Sequence, residues 1–409
     1  MALNTASPTE AHRAQASELQ TLLGISAAHL VSHIYILAIP VLLPLFKVAL
    51  GVGFLELGLA ITVFNVVSAL TQAPMGFAVD RIGPRLVLIA GMCLGGAAFL
   101  FLALGLSYPV LIAFAVLLGL ANCVYHPADY AILSQSISEA RIGRAFSIHT
   151  FAGFLGSALA PPILLAIANW MGLKAAILAA AAMGPIVALA LFLLPHPARL
   201  DAEAARKPDA KAKPAATARA TLLNPTILSL VLFFALLGLS GNGISNFSVS
   251  ALMADKGLSL IAANAALTSY LAMSALGVLA GGFLADRTRR HGDVAALGFG
   301  LNAIFVLMVA LFPMPAVLVA IAMGIGGFLS GMIMPSRDMI VRKSAPPGQA
   351  GSVFGIVSTG FNIGGIIGPL LFGWIMDNAP PVWIFYAAIA FMLGTAAYGL
   401  YADRRLARA

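Results

Sequence analysis

The chain has 409 residues, of which 61% are hydrophobic and only 9% charged, where a soluble protein carries about 25% charged side chains. That composition excludes a water-soluble fold, and the apolar runs are continuous rather than alternating in polarity, which excludes a closed β-barrel. The net charge of +8 invites a nucleic-acid reading, but its distribution along the chain assigns it to membrane topology.

Residues 1–19 are polar and hold no apolar core of the signal-peptide kind, so they read as a short disordered tail. From there apolar runs of about 20 residues recur, the length a bilayer-spanning helix requires. They fall at 20–45, 53–79, 86–106, 108–134, 145–168, 172–195, 225–250, 258–285, 292–312, 315–340, 349–376 and 380–402. The expected fold is therefore an all-α polytopic membrane protein with twelve transmembrane helices in two six-helix bundles. The N-terminal bundle takes 20–195 and the C-terminal bundle 225–402. A linker at 196–224, rich in Ala, Lys, Arg, Asp and Pro, joins them, and a tail at 403–409 follows.

With the amino terminus inside, nineteen Lys and Arg residues fall on the cytoplasmic side and only Lys47, Lys174 and Lys256 outside. Arg337 is the remaining basic residue, near the inner end of its helix. This positive-inside bias places both termini in the cytoplasm. Cys93 and Cys123 lie inside spans, which argues against a disulfide framework.

The first helix carries His29 and His33, spaced i, i+4 and so on one face. Pro40 and Pro44 follow and can bend its outer part. Ionisable groups inside a membrane are costly and usually face a bundle interior or a wet cavity; either imidazole can equally hydrogen-bond a neighbouring helix. After the second helix comes GFAVDRIGPR (Gly76 to Arg85), echoed by GFLADRTRRH (Gly282 to His291). In each, a glycine permits close helix approach before a tight basic loop. Asp80 and Asp286 stand where a carboxylate can meet the positive end of another helix.

A longer repeat begins at His126. HPADYAILSQSISEARIGRAFSIHTFAGFLGSALAPP returns as MPSRDMIVRKSAPPGQAGSVFGIVSTGFNIGGIIGPLL from Met334, at an offset of 208. Pro127 aligns with Pro335, Gly143 with Gly351, and Pro161 with Pro369. The two halves are thus related, and the polar residues within each copy become the informative ones.

These motifs resemble the major facilitator superfamily across essentially the full chain. Gly76, Asp80, Arg81, Gly83 and Arg85 match its signature loop between helices 2 and 3, and Gly282, Asp286 and Arg287 repeat it. Within the superfamily the chain most resembles the fosmidomycin-resistance group of bacterial efflux proteins. The shared stretches are HLVSHIYILAIPVLLPLF (His29 to Phe46), GLANCVYHPADYAILS (Gly119 to Ser134) and GRAFSIHTFAGFLGSALAPP (Gly143 to Pro162). The resemblance implies the major facilitator fold, secondary transport by alternating access, and a monomer in the bacterial inner membrane. It also implies an acidic residue near position 33, where this chain has His33, and a glycine before Pro161, where it has Ala160. The second half keeps Gly368-Pro369.

Helix 4 bears Asn122, His126 and Asp129 at i, i+4, i+7, with Cys123 and Tyr130 alongside. Pro127 can loosen backbone bonding there. Since the family's fold sets helices 1 and 4 side by side, His29, His33, His126 and Asp129 can converge; Asp129 can instead anchor a nearby cation. Helix 5 adds His149, then Gly153 and Gly156, small residues that also serve plain packing. In the second half, Asn242, Asn246, Tyr270 and Asn362 are candidates to line a substrate path. Arg337 stands opposite Asp129 by the 208 offset, as a coupling residue, or it forms with Asp338 a cytoplasmic gate or a loop-anchoring pair.

No GxxxxGK[ST] run occurs, so uphill work would draw on an ion gradient, and histidine exchanges protons near neutral pH. The function expected is proton-coupled export of a small organic compound, an anionic antimicrobial drawn to His and Arg337 being one form. The coupling and substrate residues would be His29, His33, His126, Asp129, His149 and Arg337. Asn122 and Tyr130 join the four second-half residues as lining candidates. The alternative is a divalent transition-metal carrier using His29, His33, His126 and Asp129. No enzymatic arrangement, cofactor or nucleic-acid partner is expected; the partners are substrate, protons and the lipid bilayer.

Overall fold

The computed structural model describes residues 8–138, 141–194, 225–344 and 350–406. Among them are twelve helices long and apolar enough to cross a membrane. In order they are α1 (Pro8–Leu50), α2 (Phe54–Ile82), α3 (Pro84–Leu104), α4 (Tyr108–Ser136), α5 (Ile142–Met171) and α6 (Leu173–Leu193). The second six are α7 (Pro225–Lys256), α8 (Leu260–Arg287), α9 (His291–Leu311), α10 (Ala316–Ser344), α11 (Ala350–Asn378) and α12 (Trp383–Leu406). The linker predicted at 196–224 lies outside the described residues.

One sequence expectation is corrected. Residues 8–19 are not a disordered tail but the first turns of α1. Pro8 is suited to a helix start, and the Ala, Glu, Gln and Leu that follow are good helix formers. Glu18 then meets Arg141 at 2.9 Å, tying the extension to the start of α5. Pro40 and Pro44 are accommodated within a continuous helix.

Packing repeats across the halves. In the first, α1 packs on α5, α2 and α3 on α4, and α3 on α6; in the second, α7 packs on α11, α8 and α9 on α10, and α9 on α12. Among the described residues two large contacts join the halves, α2 with α11 and α5 with α8, and adding six to each helix number, counted round twelve, exchanges them. Large apolar side chains such as Leu70, Phe77, Phe192, Phe283 and Val317 are exposed around the outside. Such a belt suits lipid rather than water.

The halves meet at the face opposite the arginine-rich loops, called here the far face. There the Asp377 carboxylate accepts hydrogen bonds from the backbone N–H groups of Phe54 (3.0 Å) and Leu55 (2.7 Å), at the start of α2. A carboxylate at a helix N-terminus satisfies orphan donors and meets the positive end of the dipole. Lys47 approaches the same carboxylate at 3.5 Å and lies over the Phe54 ring. About two turns inward Thr62 donates to the Ile366 carbonyl at 2.9 Å. Gly58 lies so close to the Pro369 carbonyl that a Cβ there would collide with it. Toward the basic face α5 and α8 instead border a 440 Å³ cavity lined by Phe146, Thr150, Phe154, Val278 and Gly282. The molecule is closed at the far face and parted at the basic one.

Candidate functional site

Between the halves at mid-depth lies a chamber of about 430 Å³. Its first-half wall holds His33, Phe64, Asn65, Phe154 and Ser157; its second-half wall holds Ser240, Asn242, Ser245, Asn246, Tyr270, Ser274, Asn302, Ser330 and Asn362. The wall carries no carboxylate, lysine or arginine among the described residues. Its polarity comes from amides and hydroxyls, which orient a ligand by hydrogen bonds rather than by charge.

Helix α7 reaches the chamber through a π-helical turn, Gly243–Phe247. Such wide turns recur at functional sites because they re-aim side chains. Asn246 donates to the Asn242 side chain at 2.7 Å, and Asn242 donates to the Gly238 carbonyl at 2.9 Å. The predicted lining residues Asn242, Asn246, Tyr270 and Asn362 all reach this chamber. Asn122 does not: it donates to Ser68 on α2 at 2.8 Å, an ordinary interhelical bond. Tyr130 is also elsewhere, 44% exposed beside Phe146, with its ring near those of His126 and His149.

Behind the first-half wall the imidazoles converge. The ring of His29 lies 4.7 Å from His33, 5.2 Å from His126 and 4.0 Å from His149, stacked on the last. Asp129 is completely buried, its Oδ2 3.5 Å from His29 Nδ1 and 3.6 Å from His149 Nε2. The α5 glycines divide the work suggested for them. Gly156 packs on the Leu30 carbonyl of α1, whereas a Cβ on Gly153 would meet the Nε2 atoms of His29 and His33. Gly153 thus leaves room for the imidazoles.

The predicted cluster is therefore one assembly, drawn from α1, α4 and α5, with a particular arrangement. His33 lines the chamber and shares a 3.0 Å hydrogen bond with Ser157. His29, His149 and Asp129 are buried behind it. Ser157 and Asn65 were not singled out from sequence. Ser157 had a signal, since it follows His149 and Gly153 at intervals of four on α5; Asn65, one of several uncharged polar residues on α2, had none.

Arg337 does not pair with Asp129 among the described residues. Its guanidinium bonds Asp338 at 2.7 and 2.9 Å and lies over the Phe234 and Phe361 rings at 5.1 and 5.3 Å. The charge is already met by its neighbour, because adjacent residues of a helix end can pair where partners across the opening are out of reach. The cation that Asp129 was expected to answer is supplied only by imidazoles among the described residues.

In the loop after α2, Gly83 has φ +102°, a left-handed conformation that glycine adopts without penalty. Arg85 donates to the carbonyls of Leu191 (2.6 Å) and Leu194 at the end of α6, where a cation suits the helix dipole. Asp80, Arg81 and Arg287 are exposed, and the side chain of Asp286 lies outside the described ones. A Cβ on Gly76 or Gly282 would meet open space. The close helix approach expected at those two glycines is not made with the basic face parted.

Comparison with known proteins accords with this architecture. The family model described as Major Facilitator Superfamily matches residues 25–248 and 231–408. The fosmidomycin resistance protein of Escherichia coli (strain K12) is 25% identical over 382 residues, covering 90% of this chain and 89% of that protein. The uncharacterized MFS-type transporter YfnC of Bacillus subtilis (strain 168) is 26% identical, covering 94% and 93%. A crystal structure of a bacterial homolog to the human lysosomal transporter Spinster superposes with a TM-score of 0.78 at 18% identity, over 96% of this chain and 98% of that one.

Proposed function

The chain belongs to the major facilitator superfamily and is a multi-pass membrane transporter rather than an enzyme; from that premise we propose proton-coupled export of a small organic compound. The observation carrying the reading is His33, which opens onto the chamber while three further imidazoles and Asp129 stand behind it. A proton taken up on this assembly changes the charge of a wall that otherwise has none. Transporters of two-half design bind cargo at the midplane and expose it to each side in turn by rocking one half against the other.

The direction of transport is supported by likeness to a protein named for drug resistance. Arg337, neutralised by Asp338, offers no pull on an anionic cargo. The amide-rich wall favours an uncharged compound with several hydrogen-bonding groups. We place the protein in the bacterial inner membrane as a monomer, with the basic face and both termini cytoplasmic; the parted face then opens inward.

The test is a fluorescence assay of transport in everted vesicles with an imposed pH gradient, uncharged compounds rich in hydrogen-bonding groups being tried first and anionic fosmidomycin beside them as the contrast. Uptake into the vesicles should follow the gradient and collapse when it is dissipated, and His33→Ala should uncouple the two. Transport indifferent to the gradient would refute the coupling.

A further inference from the structure

Three of the buried groups stand in an arrangement that proton exchange does not require. Asp129 Oδ2 lies 3.5 Å from His29 Nδ1 and 3.6 Å from His149 Nε2. These separations are too long for hydrogen bonds, and among the described residues neither Asp129 oxygen, nor His29 Nδ1, nor either nitrogen of His149 has a hydrogen-bond partner. Buried polar groups are seldom left this way. Two ligand atoms bonded to a tetrahedral ion at about 2.1 Å stand about 3.4 Å apart. The carboxylate-to-imidazole distances match that edge, and all three ligand atoms lie within 4.8 Å of one another.

We propose that His29, Asp129 and His149 form a binding site for a divalent first-row transition metal, with Zn²⁺ its simplest occupant. Two imidazoles and a carboxylate are a nitrogen–oxygen set suited to Zn²⁺, Co²⁺ or Ni²⁺. His126, its ring 5.2 Å from that of His29, stands outside this set, so the fourth tetrahedral position is left to a small ligand such as water. His33 lies outside the ligand set, because only His29, Asp129 and His149 bring their ligand atoms together while the His33 ring faces the chamber.

The ion is held rather than carried. Its ligands come from α1, α4 and α5, which belong to one half, so rocking of the halves does not alternate its exposure; cargo sites lie between halves. This departs from the metal-carrier alternative raised by the sequence, in ligand set and in role. A metal there cross-links three helices and offsets the buried carboxylate's charge. Because ligands must be deprotonated to bind, the loaded form is a stabilised resting form of the first half.

The test uses the full chain, purified without a histidine tag in detergent, and reads binding rather than transport. Equilibrium dialysis should give one Zn²⁺ per chain, Zn²⁺ should raise the melting temperature, and Co²⁺ should give the intense visible bands of a tetrahedral ion. Asp129→Asn and His149→Ala should each weaken binding at least tenfold, while His33→Ala leaves it within about twofold. Should His149→Ala fail to fold, the isosteric Asp129→Asn and the wild-type Co²⁺ spectrum decide the matter. Absence of stoichiometric binding, a purely octahedral Co²⁺ spectrum, or binding that survives Asp129→Asn would overturn the site. Since no transport is measured, its failure leaves the export reading standing, and the reverse holds.

Discussion

Gly153 sets the room available to the imidazoles. A Cβ at this position would lie 2.6 Å from His29 Nε2 and 2.8 Å from His33 Nε2, well inside van der Waals contact, so Gly153→Ala must displace one ring or move α5 from α1. We expect a folded protein whose gradient-driven transport falls at least tenfold, measured beside its expression and melting temperature. Ser157→Ala removes only the partner of His33 Nδ1, and should slow transport less while broadening its dependence on pH. At this scale the sequence was partly legible. Spacings of four on α1 and α5 and the i, i+7 separation of Asn122 and Asp129 announced shared faces. Which face met the chamber and which the bundle interior depended on contacts between helices, so Asn122 and Tyr130 were assigned to a wall they do not reach. The pairing of Arg337 with Asp338 was one of the readings the sequence left open, and the ion pair is made.

Among the elements, the junction of α2 with α11 is the firmest inter-half contact. Lys47 and Asp377 are partly exposed, and such a pair alone contributes little. The two charge-assisted bonds from Asp377 to the first turn of α2 contribute more. Asp377→Ala should therefore shift the closed far face toward opening by about tenfold in population, equivalent to about 1.4 kcal/mol. Spin labels at Leu106 and Phe312, exposed in far-face loops of the two halves, should report a longer-distance population absent from the parent. An unchanged distance distribution would show that apolar packing alone holds this face. Helix positions were legible because hydrocarbon thickness dictates their length. The π turn of α7 was not, since one widened turn leaves the apolar run intact. Nor was the start of α1, whose polar first turns read as tail until Arg141 supplied a partner.

For the whole molecule, alternating access requires that the far-face contacts open when the basic face closes. Cysteines replacing Asn169 on α5 and Asn264 on α8, which border one pocket, should be joined in this conformation by a reducible bifunctional thiol reagent. Transport should then stop and recover on reduction; transport that continued in the cross-linked protein would mean α5 and α8 need not separate there. The two inter-half contacts are related by the internal repeat, yet they are not equivalent. The offset of 208 sets Asn169 in the place of Asp377, and an amide replaces the carboxylate. The start of α8 is capped within its own half, Ser259 accepting from the Ala262 N–H at 3.2 Å, while a 530 Å³ pocket lies between α5 and α8. The outer mouth thus has one stiff jamb and one slack one. It should peel apart from the α5–α8 side first, so that cargo leaves through an asymmetric slit while the Asp377 side serves as the pivot.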